Sequence, residues 1–260
     1  MKTESIHITR WGKSGPRVVL IHGGGQGTPV AGERNFAAQQ VLSADWQLVV
    51  PDRPGHGRSP DPGRPDDAKA DGAWVAELLE DGAHLIGHSF GGAVALAAAA
   101  MRPEAVRSLT LIEPAMLKFA TDDPRVRKFV LKLVMTMLFS LSATRRAVRC
   151  MTLLGIPSQL IDEATPDELK RMGKSLRDIK LPTKNEIQEE LDVIRQAGIP
   201  LLVVTGGWSP AFEGASDRVA ASGGGRRAIV KSGHHFPQWI AGEFNQVIGD
   251  FMRESDKRRG

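Results

Sequence analysis

Short runs of apolar, often β-branched residues alternate with longer helix-like stretches over the first part of this chain. The apolar runs cover residues 18–21, 47–50, 84–86 and 109–112, and the helix-like stretches cover 33–42, 68–79 and 92–100. Continuous apolar runs of this length are typical of strands that are buried on both faces. The alternation therefore predicts an α/β fold, in which helices flank a mostly parallel sheet.

The alternation stops at residue 115 and resumes near residue 200. Between these points helical periodicity dominates, and Phe129, Leu133, Met137 and Leu141 recur at every fourth position. Strand-like runs return at 200–205 and 227–231, and a final helix is predicted over 240–253. The segment from residue 115 to residue 199 is too long for a plain loop. We therefore predict a core made of residues 1–114 and 200–260, with a helical insertion over 115–199.

Composition excludes several classes of function. The net charge is +4, but no aromatic-interleaved basic patch accompanies it, so we expect no nucleic-acid partner. The single cysteine, Cys150, excludes an internal disulfide and a cysteine-rich zinc site. The apolar run 129–142 contains Lys132 and is too short for a membrane span, and the N-terminal residues show no signal-peptide core. A cytoplasmic location is expected, and a homodimer is one possibility for the assembly.

A candidate nucleophile lies between a predicted strand and a predicted helix. Residues 87–91 read Gly-His-Ser-Phe-Gly, which places Ser89 at the centre of a Gly-x-Ser-x-Gly motif. The serine of this motif occupies a strained strand-to-helix turn that exposes its hydroxyl, and larger side chains in place of the glycines would collide there. The positive end of the following helix favours developing negative charge. Ser89 is therefore predicted to be the nucleophile.

A glycine-rich loop follows the first buried strand. Residues 22–27 read His-Gly-Gly-Gly-Gln-Gly, and glycines allow backbone amides to approach a forming oxyanion. Gly24 is the preferred donor from this loop, with Gly25 close behind. The second amide is expected from Phe90, the residue after the nucleophile.

These motifs, together with Pro-Asp-Arg-Pro-Gly-His-Gly-Arg-Ser at 51–59 and a late Gly-His motif, resemble the α/β-hydrolase superfamily. The resemblance covers about 1–114 and 200–255 and implies an α/β-hydrolase fold with a serine nucleophile. The insertion over 115–199 lies at the position where members of this family carry a cap. The resemblance also makes His56 and Arg58 parts of a structural loop. No metal or cofactor is implied.

The general base is expected in the loop after the last strand. Of the seven histidines, the others lie near the terminus, at the start of a strand, or in motifs where the family does not use them as base. The adjacent pair His234 and His235 remains. The register after the strand and the His-Phe-Pro sequence favour His235, whereas the Gly-His version of the motif fits His234.

The acid departs from the common pattern. Most members of the superfamily have an Asp at the position that Ser209 occupies here. Glu113 ends the run 109–112, and some members, including certain lactone-cleaving ones, carry their acid after this strand. Strand ends on this side face the active-site crevice in such sheets. Glu113 is therefore the preferred acid and Asp217 its main rival. A helix-capping or arginine-pairing role for Glu113 is the structural alternative.

We expect hydrolysis of a carboxylic ester or lactone through a Ser-His-Glu triad and an acyl-enzyme. The substrate is expected to be a small, apolar molecule, because the stripe on the insertion could line an apolar pocket. Packing within the cap, or binding of an amphipathic helix to a surface, would explain the same stripe. Two other functions stay open: carbon–carbon bond hydrolysis of a diketone-like substrate, and ligand binding with little turnover.

Overall fold

The computed structural model describes residues 6–26, 28 and 30–258 of the chain. Gly27, the last glycine of the loop motif at 22–27, lies outside the described residues.

A single sheet of seven strands forms the centre of the described structure. Its order is β1-β3-β2-β4-β5-β6-β7, and only β1 is antiparallel to its neighbour. This confirms the predicted α/β fold. The strands are β1 (Ile8–Trp11), β2 (Arg17–Ile21), β3 (Gln47–Pro51), β4 (Ala83–His88), β5 (Val106–Ile112), β6 (Leu201–Thr205) and β7 (Arg226–Ile229).

Helices cover both faces of the sheet, which explains why its inner strands are mostly apolar and almost entirely buried. Alternate residues of a strand point to opposite faces, so Val19 and Ile21 pack towards one layer and Val18 and Leu20 towards the other. The flanking helices are α1 (Gly32–Asn35), α2 (Ala68–Leu78), α3 (Phe90–Met101), α9 (Pro210–Gly223) and α10 (Ala241–Lys257).

The predicted helix over 33–42 is interrupted. Helix α1 ends at Asn35, and a 3-10 helix runs over Ala37–Ala44. The break is at Phe36, whose backbone leaves the helical region with φ −115° while its ring is fully buried against the sheet. Burial of this ring explains why the local helical pattern does not continue.

Five helices make up the segment between β5 and β6, after a 3-10 turn at Leu117–Ala120. They are α4 (Pro124–Phe139), α5 (Ala143–Leu153), α6 (Ser158–Glu163), α7 (Pro166–Asp178) and α8 (Lys184–Gln196). Side chains that accept from backbone amides begin most of them, with complete capping boxes at Thr165 and Thr183. Helix α8 buries Ile187 and Leu191 in the same cluster as the sheet. The division of the chain at 115 and 199 remains a prediction.

No helix within the described residues is long and apolar enough to cross a bilayer.

A buried arginine ties together the loops that follow β2 and β3. Arg53 is fully buried, and its Nη1 donates to Asp66 at 3.0 Å and to Asp71 at 2.8 Å. Its other nitrogens donate to the backbone carbonyls of Gly24 and His22 at 2.8 and 3.1 Å. Burial opposes its charge, but the two carboxylates raise the pKa of Arg53. One cation therefore fixes the course of the glycine loop.

Buried histidines lie beside this network and beneath the glycine loop. Burial, followed by the charge of Arg53, holds the pKa of His22 well below its usual value. Burial, followed by the charge of His235, does the same for the pKa of His88. Both imidazoles are therefore neutral in the folded protein at neutral pH.

We expect Arg53→Met to lower the free energy of unfolding by about 3–5 kcal/mol, because Asp66 and Asp71 would be left buried without a cation. Urea unfolding followed by circular dichroism measures this change. The matched control is Arg195→Met, since Arg195 is exposed and pairs with Asp192 at the surface, where such a pair contributes at most about 1 kcal/mol. Equal losses in the two variants would contradict the assigned role of Arg53.

Folding stability should fall as the pH drops below about 6.5. The unfolded chain protonates His22 and His88 near their ordinary pKa of 6.5, whereas the folded protein keeps both neutral. The unfolded state therefore binds more protons, and each histidine removes up to about 1.4 kcal/mol per pH unit in this range. Urea titrations from pH 7.5 to 5.5 measure the effect. A constant free energy of unfolding over that interval would show that neither histidine is held neutral.

Candidate active site

Ser89 occupies a strained turn between β4 and α3. Its backbone has φ 55° and ψ −118°, a conformation that side-chain-bearing residues rarely adopt. The neighbouring glycines are required by contact: a Cβ on Gly87 would lie 2.2 Å from the carbonyl oxygen of Gly91, and one on Gly91 would lie 2.3 Å from that of Ile21. The turn presents Ser89 to two adjoining cavities.

The predicted oxyanion donors lie at the same cavity as Ser89. Phe90 is the first residue of α3, so its amide has no partner within the helix. Gly24 has φ 86°, and its carbonyl accepts from Arg53, which fixes the orientation of the adjoining peptide units. The guanidinium of Arg53 also lies 4.6 Å from the centre of the Phe90 ring. A single buried side chain thus contacts both predicted donor residues.

Helix α7, which belongs to the predicted cap between β5 and β6, contacts the glycine loop directly. The hydroxyl of Ser175, on α7, has two carbonyl acceptors within hydrogen-bond distance: Met172 of its own helix at 3.0 Å and Gln26 of the glycine loop at 3.2 Å. A Cβ on Gly25 would lie 3.0 Å from the same hydroxyl, so the loop and the cap pack closely here. The position of the cap and the shape of the loop are therefore coupled.

His235 is buried in the loop after β7, and its Nδ1 lies 3.3 Å from Oε2 of Glu113. Its backbone amide donates to the carbonyl of Gly155 at 3.0 Å, which attaches this loop to the cap. The rings of Trp208 and Phe212 lie around the imidazole, with centroids 6.1 and 5.0 Å away. Because Nδ1 faces a carboxylate, Nε2 carries the free lone pair in the neutral tautomer.

His234 has a different environment. Its Nδ1 accepts from the backbone amide of Phe236 at 3.1 Å, and its ring lies 6.0 Å from that of Trp239. Burial lowers the pKa of His234. Of the two adjacent histidines, His235 is the one that contacts Glu113 and shares a cavity with Ser89.

Glu113 directly follows β5, with its side chain fully buried and its backbone at φ 45°. Among the described residues, only Glu80, Ser89 and Glu113 combine a side chain with a positive φ. Oε1 of Glu113 accepts from the amide of Gly206 at 2.6 Å, and Oε2 accepts from Nε1 of Trp208 at 3.1 Å. With His235 these donors account for a buried carboxylate that would otherwise be costly.

The other acidic candidates lie elsewhere. Asp217 is exposed on α9, and its carboxylate pairs with Arg227 at 2.9 Å. Glu213 also pairs with Arg227, at 2.6 Å, and accepts from Thr205. Ser209 takes the position before α9 without capping the helix through its side chain. The structure therefore brings Glu113, and not Asp217, to His235.

Two contacts of the site were missed by sequence reasoning. The indole N–H of Trp208 donates to Glu113, and the sequence carries no signal for a contact between residues 95 positions apart. Arg53 was noted only as part of the 51–59 motif, and its contacts with the glycine loop span a separation that no local pattern reveals.

Two cavities adjoin Ser89, and residues of the cap line both. The larger has a volume of about 300 Å³, and Leu133, Met137 and Leu138 of α4 form part of its wall. The smaller has a volume of about 70 Å³ and is lined by His235, Phe236 and Leu160 among others. The remaining residues of the predicted stripe differ: Phe129 packs on Phe212, and Leu141 lies beyond the end of α4.

Cys150 lies at both cavities, and burial raises the pKa of its thiol to about 11, so it is an apolar wall at neutral pH. Among the described residues, no group of three or more His, Cys, Asp and Glu side chains could hold a metal ion.

Several curated proteins are similar to this chain. A pimeloyl-[acyl-carrier protein] methyl ester esterase of Neisseria meningitidis is 31% identical over 202 residues, which cover 74% of each chain. The lipase LipV of Mycobacterium tuberculosis is 37% identical over 130 residues, 48% of this chain and 46% of the lipase. The match thus spans about half the length of that lipase.

Solved structures share the fold at lower sequence identity. A hydrolase from Oleispira antarctica superposes with a TM-score of 0.71 at 16% identity, covering 97% of this chain and 98% of that one. The N-acyl homoserine lactonase AidH, solved with N-butanoyl homoserine, has a TM-score of 0.64 at 20% identity, with coverage of 96% and 93%. A model of the alpha/beta hydrolase family matches residues 18–247, nearly the whole described chain. The chain therefore belongs to the alpha/beta hydrolase family.

Proposed function

We propose that this protein hydrolyses carboxylic esters that combine an apolar acyl group with a small alcohol, through an acyl-enzyme on Ser89. The observation that carries the proposal is the contact of His235 with Glu113, 3.3 Å apart, beside the cavity that Ser89 lines. The curated relatives include an esterase and a lipase, which is consistent with ester chemistry.

The first half of the reaction forms the acyl-enzyme. Nε2 of His235 takes the proton of the Ser89 hydroxyl as its oxygen attacks the ester carbonyl. Glu113 keeps the Nδ1 proton in place and stabilises the imidazolium. The amides of Gly24 and Phe90 hold the negative oxygen of the tetrahedral intermediate. The imidazolium then returns its proton to the alkoxide, and the alcohol leaves.

The second half releases the acid. His235 takes a proton from water, and the hydroxide attacks the acyl carbonyl while the same two amides hold the oxyanion. The intermediate collapses, Ser89 regains its proton from the imidazolium, and the carboxylic acid departs. A lactone follows the same steps, except that its alcohol remains joined to the acyl group.

The two cavities suggest how an ester is oriented. The leaving alcohol must lie next to His235, which protonates it, and His235 lines the smaller cavity. The acyl chain must lie on the other side of the carbonyl, where Phe90, Leu133 and Met137 line the larger, mostly apolar cavity. This arrangement favours a long acyl chain and an alcohol of a few heavy atoms.

The contact between Glu113 and His235 also supports an enzyme over a ligand-binding protein with little turnover. With Ser209 at the position where most superfamily members have an Asp, the protein could lack an acid and turn over poorly, but Glu113 contacts His235 instead. A buried carboxylate with strained backbone is a costly arrangement, and such strain concentrates at functional sites. Ser89 and Glu113 both have this strained backbone, with a positive φ.

Glu113→Gln should lower kcat for p-nitrophenyl acetate by about 10³–10⁴-fold, because an amide neither holds the Nδ1 proton nor stabilises the imidazolium. Ser89→Ala should abolish turnover and labelling by a fluorophosphonate probe. His235→Gln should be as damaging, whereas His234→Gln should retain activity. The matched acid control, Asp217→Asn, should retain wild-type kcat because that carboxylate is exposed. Circular dichroism verifies that each variant is folded. Full activity in Glu113→Gln would refute the triad.

Substrate preference should follow the two cavities separately. For methyl esters, kcat/KM should rise by up to about fourfold for each methylene added to the acyl chain, the effect of burying about 0.8 kcal/mol. Leu133→Trp should remove the preference for long acyl groups by filling the larger cavity. Leu160→Phe is the matched variant in the smaller cavity and should penalise butyl esters relative to methyl esters. If Leu133→Trp affected the alcohol preference and Leu160→Phe the acyl preference, the acyl and alcohol cavities would be exchanged. If the rate depended on neither the acyl group nor the alcohol, both assignments would be contradicted.

A further inference from the structure

Helix α4 exposes a stripe of large apolar side chains on the side away from the larger cavity. Leu131, Met135 and Phe139 follow one another at every fourth position and lie on one face of the helix. Leu131 is 60% exposed and Phe139 65%, and Leu141, just after the helix, is 86% exposed. Of the nine large apolar side chains that are exposed within the described residues, six lie between positions 131 and 141. Such a concentration marks an interaction surface.

The same segment has a concentrated net positive charge. Between Asp123 and Asp162 the sequence has seven Arg and Lys residues and no Asp or Glu. Because the whole chain has a net charge of only +4, the rest of it is net negative. The seven residues are Arg125, Arg127, Lys128, Lys132, Arg145, Arg146 and Arg149.

Three of these cations are available beside the apolar stripe. Arg146 is buried and donates to the carbonyl oxygen of Gly173, and Arg125 pairs with Asp123. By contrast, Arg127, Lys128 and Lys132 are exposed on α4, and no carboxylate in the described part of the chain forms an ion pair with them. They lie within one turn of Leu131, so charge and apolar surface are contiguous.

We propose that this face of α4 binds the surface of an anionic lipid membrane. Leu131, Met135 and Phe139 would enter the boundary between headgroups and acyl chains, and Arg127, Lys128 and Lys132 would contact the phosphate groups. A second copy of the chain is disfavoured as the occupant, because two segments of the same strong positive charge would face each other. This inference is independent of the proposed esterase activity.

The other side of the same helix explains why a lipid surface would suit this protein. Leu133 and Met137 line the larger cavity, so a single helix separates that cavity from the exposed stripe. A membrane bound at the stripe would lie one helix diameter from the cavity wall, which is about 10 Å. An apolar substrate could then reach the cavity without crossing a long path through water.

The test is co-sedimentation of the full chain with vesicles of phosphatidylcholine alone and of phosphatidylcholine mixed with phosphatidylglycerol. We expect binding to the anionic vesicles only, and weaker binding at high salt because exposed charges are screened. Lys128→Glu with Lys132→Glu, and separately Leu131→Glu with Phe139→Glu, should each weaken binding about tenfold or more. The matched control is Val41→Glu, because Val41 is an exposed apolar residue outside the segment and its variant should bind normally.

Circular dichroism shows that each variant is folded, which is expected because none of these side chains is buried and none lines either cavity. The inference is overturned if the folded wild-type protein binds neither vesicle type, binds both equally, or binds as tightly after the substitutions. It is also overturned if sedimentation velocity shows a dimer that Leu131→Glu with Phe139→Glu separates. Each of these results would leave the proposed hydrolysis intact.

Discussion

The buried guanidinium of Arg53 is the interaction on which the geometry of the site depends. It links the carboxylates of Asp66 and Asp71 to the carbonyls of His22 and Gly24 and contacts the Phe90 ring. A glycine-rich loop alone has many accessible conformations, and ordering it costs conformational entropy. The fixed fork of an arginine can hold several acceptors at once, which a lysine cannot reproduce. The loop can therefore be rich in glycine, as a close approach to substrate requires, and still have one shape.

Sheet register explains how Glu113, the proposed acid, lies close to Ser89 although it follows a different strand from the one that carries the acid in most superfamily members. His88 pairs with Ile112, and Ile112 pairs with Val204, so three neighbouring strands end at the same level. Ser89 and Glu113 therefore emerge side by side, each on a strained residue. The loop after β6, where most superfamily members carry the acid, has Ser209 at that position. Two other residues of this loop, Gly206 and Trp208, donate hydrogen bonds to the Glu113 carboxylate. The donors to the Glu113 carboxylate therefore come from the loop after the neighbouring strand.

The sequence predicts those features that depend on burial and local geometry. Inner strands such as β2 and β5 are recognisable because both of their faces are covered, whereas the half-exposed edge strand β1 has no such pattern. Ser89 is recognisable because its turn requires glycines at fixed positions. The hydrogen-bond partners of Glu113 cannot be recognised in this way, because Trp208 lies 95 residues away in the sequence. His234 and His235 differ by one position in sequence, and only the direction of each side chain, set by the folded loop, separates their environments.

The hydrogen bond from Ser175 to the carbonyl of Gln26 has a consequence for how such proteins diversify. A cap inserted between two strands looks like a module that evolution could exchange freely to obtain new substrates. Here the inserted helices also contact the loop that holds the proposed oxyanion donor, and the backbone hydrogen bond from His235 to Gly155 attaches the loop of the proposed base. A transplanted cap would have to bring its own donor and acceptor at both places. Recombination at this junction is therefore constrained by two hydrogen bonds as well as by the shape of the pocket.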